Sequence, residues 1–289
     1  MNYRHAYHAG NHADVLKHIV LARALALMTK KDKPLFFLDA HAGVGRYALW
    51  GDEALKTLEW QDGVGRLYDQ KGEAVALAPE VETLIAPWRQ AVGSVNDGGQ
   101  PLSHYPGSPD LARMLLRADD RMLFNELHPE DEAKLAKAFA RDGRVSVAHG
   151  DAGIAVKAHL PPRERRGLIL IDPPYEQENE GKAAIAMLRD GLKRFATGVF
   201  LLWYPVTGDG LSEAIKKDAA ALGLPKMMIA ELIVRPVMPE GGLAGSGLII
   251  VNPPWPIGDE LQIIGPALRD RLARDDNSRW SVTAGAIPA

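Results

Sequence analysis

The stretch that decides the fold is KPLFFLDAHAGVGRYAL, residues 33–49. It opens with an apolar run from Leu35 to Leu38, turns at Asp39 and loops through Gly43 and Gly45. A buried strand that ends in an acid and a glycine loop is typical of the first βα unit of a nucleotide-binding open sheet. We therefore predict an α/β protein, and we expect a helix to begin directly after the loop.

Six further apolar runs follow, and helical patterns separate most of them. These runs are 121–127, 144–151, 166–172, 198–204, 226–234 and 246–252. Strands that alternate with helices favour a mostly parallel sheet, so we predict a Rossmann-like sheet of seven strands. Because the segment between the last two runs is too short for a helix, those strands should form an antiparallel hairpin at one edge. Ahead of the first strand, apolar spacing over 12–30 predicts an amphipathic helix.

The distance from the glycine loop to the next strand-end acid indicates an insertion. Nucleotide-binding folds place this acid about 20 residues after the loop, whereas Gly45 and Glu126 are 81 positions apart. Two helical patterns, at 53–70 and 75–92, fill the gap and predict a small helical subdomain. The predicted division is 1–49 for the N-terminal arm, first helix and first βα unit, 50–103 for the inserted subdomain, and 104–289 for the remainder of the main domain.

The composition is that of an ordinary soluble protein. The chain has 289 residues, 25% of them charged, and a net charge of −3. No apolar run approaches the roughly 20 residues that cross a bilayer, and the polar N-terminus lacks the apolar region of a signal peptide. The absence of cysteine excludes disulfides, thiol catalysis and cysteine-ligated metals. We expect a cytoplasmic monomer with no membrane partner.

Basic residues are concentrated in two short segments of this acidic chain. The first 33 residues contain six lysines and arginines against two aspartates, and Arg163, Arg165 and Arg166 form a second cluster. Local basic patches fit a restricted contact with nucleic acid, although ordinary solvated charge explains them equally well.

The glycine loop and two strand-end acids predict the cofactor. DAHAGVG lacks the third glycine of the dinucleotide loop, which favours S-adenosylmethionine over NAD because the former has no phosphate to approach. Glu126 should accept hydrogen bonds from the ribose hydroxyls and Asp151 from the adenine amine, since the carboxyl ends of parallel strands converge on one crevice. Each acid could instead cap a helix, and the helical stretch after Asp151 keeps that alternative open.

Two strands end in Asp/Asn-Pro-Pro-aromatic, as DPPY at 172–175 and as NPPW at 252–255. In the strand order 3-2-1-4-5-7-6 of a class I methyltransferase, the first motif flanks the point where strand order reverses and the second lies toward the far edge. We therefore expect the active site at DPPY. NPPW should be a strand terminator with a packed Trp255.

The DPPY motif suits methylation of an exocyclic adenine amine. This amine is a poor nucleophile, so a site must accept hydrogen bonds from both of its N–H groups. Asp172 supplies one acceptor, and a carbonyl held outward by the rigid pair Pro173 and Pro174, that of Pro173, supplies the other. Tyr175 should stack on a flipped base, which is typically worth ~1–3 kcal/mol.

The N-terminal segment is rich in histidine and aromatic residues. His8 and His12 have the spacing of a helical metal pair, but Gly10 and Asn11 interrupt them and no carboxylate set accompanies them, so we predict no metal. Tyr3, Arg4, His5 and Tyr7 better fit a flexible arm over the mouth of the site, where such residues stack on bases and contact phosphates.

Several longer motifs, YRHAYHAGNHADVLKH, LDAHAGVGRY, YPGSP, ELHP and RGLILIDPPYE, resemble those of the RlmJ-type bacterial 23S rRNA adenine-N6 methyltransferases. The resemblance covers essentially the whole chain. It implies an enzyme that uses S-adenosylmethionine to methylate N6 of adenine 2030 in 23S rRNA before the subunit is assembled. It also implies a Rossmann-like domain with an inserted helical subdomain.

The resemblance, together with the motifs, completes the predicted site. The family pattern has glycine where this chain has Ala152, and a backbone contact survives that change. The predicted cofactor-binding residues are His18, His41, Gly43, Gly45, Ser108, Glu126, Asp151, Ala152 and Asp172. The predicted catalytic residues are Asp172, Pro173, Pro174 and Tyr175, and the predicted substrate-binding residues are Tyr3, Arg4, His5, Lys17 and Tyr175.

Three other functions are compatible with parts of this pattern. A DNA adenine methyltransferase would share DPPY but should carry a separate sequence-reading domain, for which the insert has few basic residues. A non-catalytic RNA-binding protein could retain the cofactor fold, although the intact glycine loop, strand-end acids and DPPY argue against decay. An NAD oxidoreductase is disfavoured by the missing third glycine.

Overall fold

Ten strands are present in the computed structural model, which describes residues 4–98, 100–240 and 242–284. Eight of them form the main sheet and the other two pair with each other. The strands are β1 (Phe36–Asp39), β2 (Arg46–Ala48), β3 (His104–Pro106), β4 (Arg121–Glu126), β5 (Val145–His149), β6 (Gly167–Ile171), β7 (Val199–Val206), β8 (Met227–Ile233), β9 (Gly245–Val251) and β10 (Arg279–Ala284).

The main sheet has the order β5-β4-β1-β6-β7-β9-β8-β10. The seven predicted strands therefore occur in the predicted order 3-2-1-4-5-7-6, and the predicted fold class is confirmed. β8 and β9 form the expected antiparallel pair, but β8 is not an edge because β10 pairs antiparallel with it. The strand β10 was not predicted, because it is a half-exposed edge strand without a continuous apolar run.

Helices cover both faces of the sheet. They are α1 (His12–Thr29), α2 (Asp52–Thr57), α3 (Pro79–Ser94), α4 (Ser108–Leu115), α5 (Pro129–Phe139), α6 (Ala152–His159), α7 (Glu180–Arg194), α8 (Leu211–Ala220) and α9 (Ile257–Leu272). Successive residues of β1 point to opposite faces, so Phe37 packs with the α1, α3 and α9 side and Phe36 with the α6, α7 and α8 side. Among the described residues, no helix has the length and apolarity to span a membrane.

Helix α1 is a central helix rather than the predicted amphipathic one. Fifteen of its 18 residues are buried, including the polar Asp14, Lys17 and His18. The helix contacts β9 on one side and α3, α4 and α9 on others, which leaves it no solvent-facing side. A helix that is buried all round can place polar side chains inside the protein only where other polar groups meet them.

The glycine loop leads into a strand, and the prediction of a helix directly after it is wrong. Residues after Gly45 form β2, which pairs antiparallel with β3 on the far side of the insert. The crossover helix between β1 and β4 is α4, which contacts both strands. The insertion therefore separates the loop from its helix, and the β2–β3 pair closes the resulting gap.

The insert holds less regular helix than its pattern suggested. The pattern at 53–70 becomes the short helix α2 and two 3₁₀ turns, because Leu58 adopts a left-handed conformation with φ 53° and ends α2. The second pattern corresponds to α3, whose Trp88 belongs to the same apolar core as Leu16 of α1. The boundaries at 50 and 103 stay a prediction.

Candidate active site

A cavity of about 200 Å³ lies at the carboxyl ends of β1, β4, β5 and β6. All predicted cofactor-binding residues except Gly45 line it, as do Pro173 and Pro174. Of the predicted substrate-binding residues, His5 and Lys17 line it, whereas Arg4 and Tyr175 do not. Tyr3 lies outside the described residues.

The glycine loop needs its two glycines for different reasons. Gly43 has φ 63°, and a Cβ there would lie 2.0 Å from the Tyr47 hydroxyl, so a side chain would displace the wall of the cavity. Gly45 has φ 82°, and its Cβ would lie 2.9 Å from the Phe139 ring. Gly43 therefore shapes the cavity, while Gly45 permits the turn and the packing behind it.

Glu126 is held at the cavity wall by main-chain donors. Its Oε2 accepts from the Gly43 amide at 2.8 Å and its Oε1 from the His128 amide at 2.7 Å. The residue is 7% exposed. A carboxylate has about four acceptor positions, so these two bonds orient the group and leave capacity for hydroxyl donors of a ligand.

Asp151 acts as the N-cap of α6. Its Oδ1 accepts from the Ile154 amide at 2.9 Å, which is the capping alternative left open by the sequence. The residue also lines the cavity, so capping fixes the carboxylate beside the ligand space. The neighbouring Asn125, missed in the sequence analysis, joins two strand ends by donating to Ala40 and Gly150 carbonyls at 3.1 and 3.0 Å.

Asp172 belongs to a buried charged cluster that begins on α1. Its Oδ2 accepts from the Lys17 ammonium group. Lys17 also contacts Asp14 Oδ1 at 2.8 Å, and Asp14 Oδ2 accepts from His5 Nε2 at 2.9 Å. Asp14 was missed in the sequence analysis, although three polar residues at i, i+3 and i+4 of an otherwise apolar helix were a usable signal.

Buried His18 and partly exposed His41 face the cavity as neutral rings. The Asp172 amide donates to His41 Nδ1 at 3.2 Å, and burial lowers the pKa of His41 to about 4. Burial lowers the pKa of His18 to about 3, and its ring stacks on Tyr105 at 5.4 Å. Neutral rings can donate or accept hydrogen bonds here without adding positive charge to the cavity.

Asp39 supports the glycine loop from inside the protein, and the sequence did not predict this role. It is fully buried, its Oδ1 accepts from the His41 amide at 3.2 Å, and burial raises its pKa to about 7. Within the described part of the chain, Oδ2 finds no hydrogen-bond partner. A carboxyl group in this state carries a proton through much of the neutral range.

Tyr175 is placed next to the cavity wall by a strained backbone. It has φ 53°, its hydroxyl donates to the Trp203 carbonyl at 2.6 Å, and the two rings lie 5.7 Å apart. Burial raises the pKa of its hydroxyl well above the ordinary value. The ring is thus fixed after Pro174, although the base-stacking role stays a prediction.

The N-terminal segment packs against two parts of the protein. Arg4 forms ion pairs with Glu130 at 2.8 Å and Asp131 at 3.1 Å at the start of α5. A 3₁₀ turn follows at His5–Tyr7, and the Thr57 hydroxyl of the insert donates to the Tyr7 carbonyl. The described part of the predicted arm therefore has defined contacts with α5 and the insert.

The histidines of this segment do not converge on one point. His8 Nδ1 contacts Glu59 at 3.0 Å, whereas both ring nitrogens of buried His12 lack a hydrogen-bond partner among the described residues. Within those residues, no group of three or more His, Asp or Glu side chains has metal-binding geometry.

The second proline motif serves the fold. Asn252 adopts φ 53°, and its Nδ2 donates to the Ala196 and Gly198 carbonyls, each at 2.8 Å. The packing role expected for Trp255 is wrong, because this side chain is 87% exposed. Buried Ile257, at the start of α9, anchors the chain instead.

The second basic cluster, Arg163, Arg165 and Arg166, lies at the amino ends of the strands, away from the cavity. Arg166, just before β6, donates to the Met28 and Lys33 carbonyls at 2.7 and 2.6 Å, which closes the end of α1. Arg163 and Arg165 are exposed beside it. The basic residues of the first 33 positions are dispersed, because Lys17 lines the cavity whereas Arg23 pairs with Glu260 of α9.

The family model described as Ribosomal RNA large subunit methyltransferase D, RlmJ, matches residues 32–283. The chain belongs to this family. Proteins named Ribosomal RNA large subunit methyltransferase J from Haemophilus influenzae and Escherichia coli are each 42% identical to it, over 98% and 94% of both chains. A crystal structure of a Legionella pneumophila protein, 33% identical, superposes with a TM-score of 0.85 over 96% of this chain and 99% of that one.

In this member of the RlmJ family, Asn252→Ala should leave methyl transfer per folded molecule nearly unchanged. Loss of its two carbonyl contacts should lower the free energy of unfolding by about 1–3 kcal/mol. Urea denaturation and methyl-transfer rates on the same preparation measure the two effects. A loss of turnover without a loss of stability would mean that the second motif takes part in the reaction.

The buried histidines predict acid sensitivity. His12, His18 and His41, with folded pKa values of about 4, 3 and 4, stay neutral in the fold but take up protons in the unfolded chain below pH ~6.5. Asp39 has the opposite effect: its folded pKa of about 7 exceeds its unfolded value, so the folded protein holds a proton that the unfolded chain releases. The net proton uptake of the unfolded state rises from somewhat under one near pH 6.5 to nearly two near pH 5, so the loss of stability should steepen from about 1 to about 2.4 kcal/mol per pH unit as the pH drops through this range.

Urea denaturation at several pH values between 5 and 7 measures this slope. His12→Leu is the matched variant, because His12 lies outside the cavity and accounts for one of the three histidine protons. It should roughly halve the slope. A stability that is flat over this range, or a slope that His12→Leu leaves unaltered, would contradict the assignment of neutral buried rings.

Proposed function

We propose that this protein uses S-adenosylmethionine to methylate the N6 amine of an adenine in 23S rRNA, at position 2030 by resemblance to its family. The observation that carries the proposal is the placement of Asp172, Pro173 and Pro174 on the same cavity as Glu126 and Gly43. An amine-binding motif and a ribose-binding acid thereby face one space. The curated relatives carry the name of a large-subunit rRNA methyltransferase.

The cavity fits S-adenosylmethionine in the chemistry of its donors and acceptors. Glu126 is oriented for ribose hydroxyls, Asp151 for the adenine amine, and Gly43 leaves room for close approach of the backbone. Lys17 is the only Lys or Arg among the described residues that line the cavity, and it is already paired, so the site offers little to a phosphate. When bound, S-adenosylmethionine supplies an electrophilic methyl group on a sulfonium.

The residues of the chain then act on the adenine. Asp172 Oδ1 accepts one N–H of the amine, because Oδ2 is occupied by Lys17, and the Pro173 carbonyl accepts the other. Both bonds draw the nitrogen lone pair out of conjugation and aim it at the methyl group. Asp172 takes or relays the proton that the nitrogen releases late in the reaction. Tyr175 stacks on the base once it has left its helix.

The substrate form follows from this requirement for an extruded base. Unpairing and unstacking are least costly where the target is loosely structured, so protein-free or early-assembly 23S rRNA is the proposed substrate. The N-terminal segment is proposed to contact the RNA next to the target through His5, Tyr3 and Arg4. The active form is proposed to be a monomer.

Methyl transfer from labelled S-adenosylmethionine tests the substrate. Protein-free 23S rRNA, assembled large subunits and duplex DNA are compared under the same salt, since nucleic-acid affinity depends strongly on salt. We expect transfer to the free RNA and little to the other two. Transfer to duplex DNA in preference to RNA would support a DNA adenine methyltransferase instead.

A further inference from the structure

Beyond the reaction itself, we infer that Asp14 is a positioning residue. It fixes the ammonium group of Lys17 and, through Lys17, the carboxylate of Asp172. The same Asp14 carboxylate also binds the N-terminal segment. The inference rests on the proposed function for its kinetic consequences. Its structural basis is the set of contacts that Asp14 makes inside the protein.

The two oxygens of Asp14 serve two different parts of the molecule. Oδ1 contacts the Lys17 ammonium group at 2.8 Å, one turn along α1. Oδ2 accepts from the Gly10 amide and from His5 Nε2, each at 2.9 Å. Asp14 is 1% exposed, so these partners rather than water satisfy its charge. One carboxylate therefore joins the N-terminal segment to the helix that carries Lys17.

Lys17 needs a second anchor to hold Asp172 in one orientation. Its side chain is flexible and 4% exposed, and its ammonium lies between Asp14 and Asp172, 5.7 Å from the centre of the Trp203 ring. With Asp14 in place, the ammonium has carboxylates on two sides. Without it, Lys17 can move with Asp172 as a pair, and the acceptor Oδ1 loses its fixed direction.

The charges around Lys17 make its protonation depend on Asp14. Burial by itself would lower the pKa of Lys17, but Asp14 and Asp172 raise it above its usual value. Burial would likewise raise the pKa of Asp14, but His5 and Lys17 hold it well below its usual range. The other titratable groups facing the cluster are His18 on α1, Asp39 at the end of β1, His41 in the loop after it, Tyr105 on β3 and Tyr175 after Pro174.

The same carboxylate also decides where His5 lies. His5 lines the cavity and its ring meets that of Tyr47 edge-on at 5.0 Å. Since Asp14 holds both His5 and Lys17, loss of its charge should disturb the substrate-facing segment and the catalytic carboxylate together. On the cofactor side, His18 Nε2 lies 4.0 Å from Asp14 Oδ1, whereas Glu126 and Asp151 are held elsewhere by main-chain amides.

Asp14→Asn is the primary test. We expect kcat to fall about 10- to 100-fold, in line with the effect of a small misplacement of reacting groups. The affinity for S-adenosylmethionine should change less than about 2-fold, because none of the proposed ribose or adenine contacts changes. An alkaline loss of activity should appear below pH ~10, since Lys17 loses one of the two anions that keep it charged. The measurement is kcat and KM from pH 6 to 10.

Asp120→Asn is the matched control. Asp120 is also a buried aspartate, 2% exposed, that accepts from the Leu35 amide at 2.7 Å and pairs with Arg117, but it lies at the opposite edge of the sheet. This variant should lose stability without a change in kcat or pH profile. If Asp14→Asn behaves like Asp120→Asn, with unchanged kcat per folded molecule and no alkaline limb, the positioning role is wrong.

A substrate-independent readout separates this inference from the proposed function. The NMR titration of Lys17 in protein labelled at lysine, without RNA, should show a charged ammonium above pH 10 in the wild type and a lower midpoint in Asp14→Asn. Unchanged midpoints would overturn the inference even if the enzyme methylates rRNA.

Should Asp14→Asn fail to fold, Asp14→Glu is the second variant, because it keeps the negative charge. We expect it to lower kcat without creating the alkaline loss of activity. An alkaline loss of activity in that variant would contradict the inference. Absence of methyl transfer by the wild type would overturn only the proposed function.

Discussion

Asp172→Ala should reduce methyl transfer to 23S rRNA by at least about 100-fold, the usual cost of removing a preorganised hydrogen-bonding group from an active site. The variant removes the proposed acceptor of one amine N–H, which is also the group proposed to take the released proton. It should still bind S-adenosylmethionine, because Glu126, Gly43 and Asp151 keep their own contacts. Single-turnover rates and calorimetric titration of the cofactor measure the two properties.

Asn252→Ala is the internal control for this result, because it alters the same position of the second motif. We expect it to retain turnover and cofactor binding. Removal of Asp172 also frees Lys17 from one of its carboxylates, so the thermal stability of both variants should be compared. A simultaneous loss of turnover, cofactor binding and stability in Asp172→Ala would indicate that the residue acts mainly in the fold.

Glu126→Ala should weaken S-adenosylmethionine binding by at least about 100-fold. Each hydrogen bond to a charged group is worth about 1.5–3 kcal/mol, and the variant loses the proposed acceptor of both ribose hydroxyls. It also releases the Gly43 and His128 amides, so the glycine loop should lose its fixed position. Isothermal titration with S-adenosylmethionine measures the change directly.

Glu132→Ala, in the first turn of α5, is the matched control, because this residue lies close in sequence but does not line the cavity. Its cofactor affinity should equal that of the wild type. An affinity in Glu126→Ala within a few-fold of the wild type would mean that the ribose is bound elsewhere. The proposed orientation of the cofactor in the cavity would then be wrong.

The sequence predicts the architecture well where side chains repeat with the period of a buried strand. The runs around Phe37 and Ile169 are continuous and apolar, and the acids that follow them mark the strand ends that converge on the cavity. Connectivity alone then places DPPY beside the glycine loop and NPPW away from it. That deduction needs no side-chain geometry, because it follows from the order of parallel strands.

The parts that escaped prediction depend on packing between distant segments. The apolar spacing of α1 does not reveal that α3 and α4 cover its remaining faces and bury Asp14 and Lys17. The strand after Gly45 exists only because residues 104–106 return to pair with it. Trp255 likewise gives no local sign that it faces solvent. For α1 and for the strand after Gly45, the decisive partner lies far away in the chain.

The central claim concerns the atom that receives the methyl group, and nucleoside mass spectrometry of the RNA product tests it most directly. Protein-free 23S rRNA is incubated with S-adenosylmethionine and either the wild type or Asp172→Ala, then digested to nucleosides. We predict N6-methyladenosine from the wild type and a level at least about 100-fold lower from Asp172→Ala. A methyl group on a ring nitrogen, on ribose or on another base would contradict the account, as would N6-methyladenosine formed equally by both proteins.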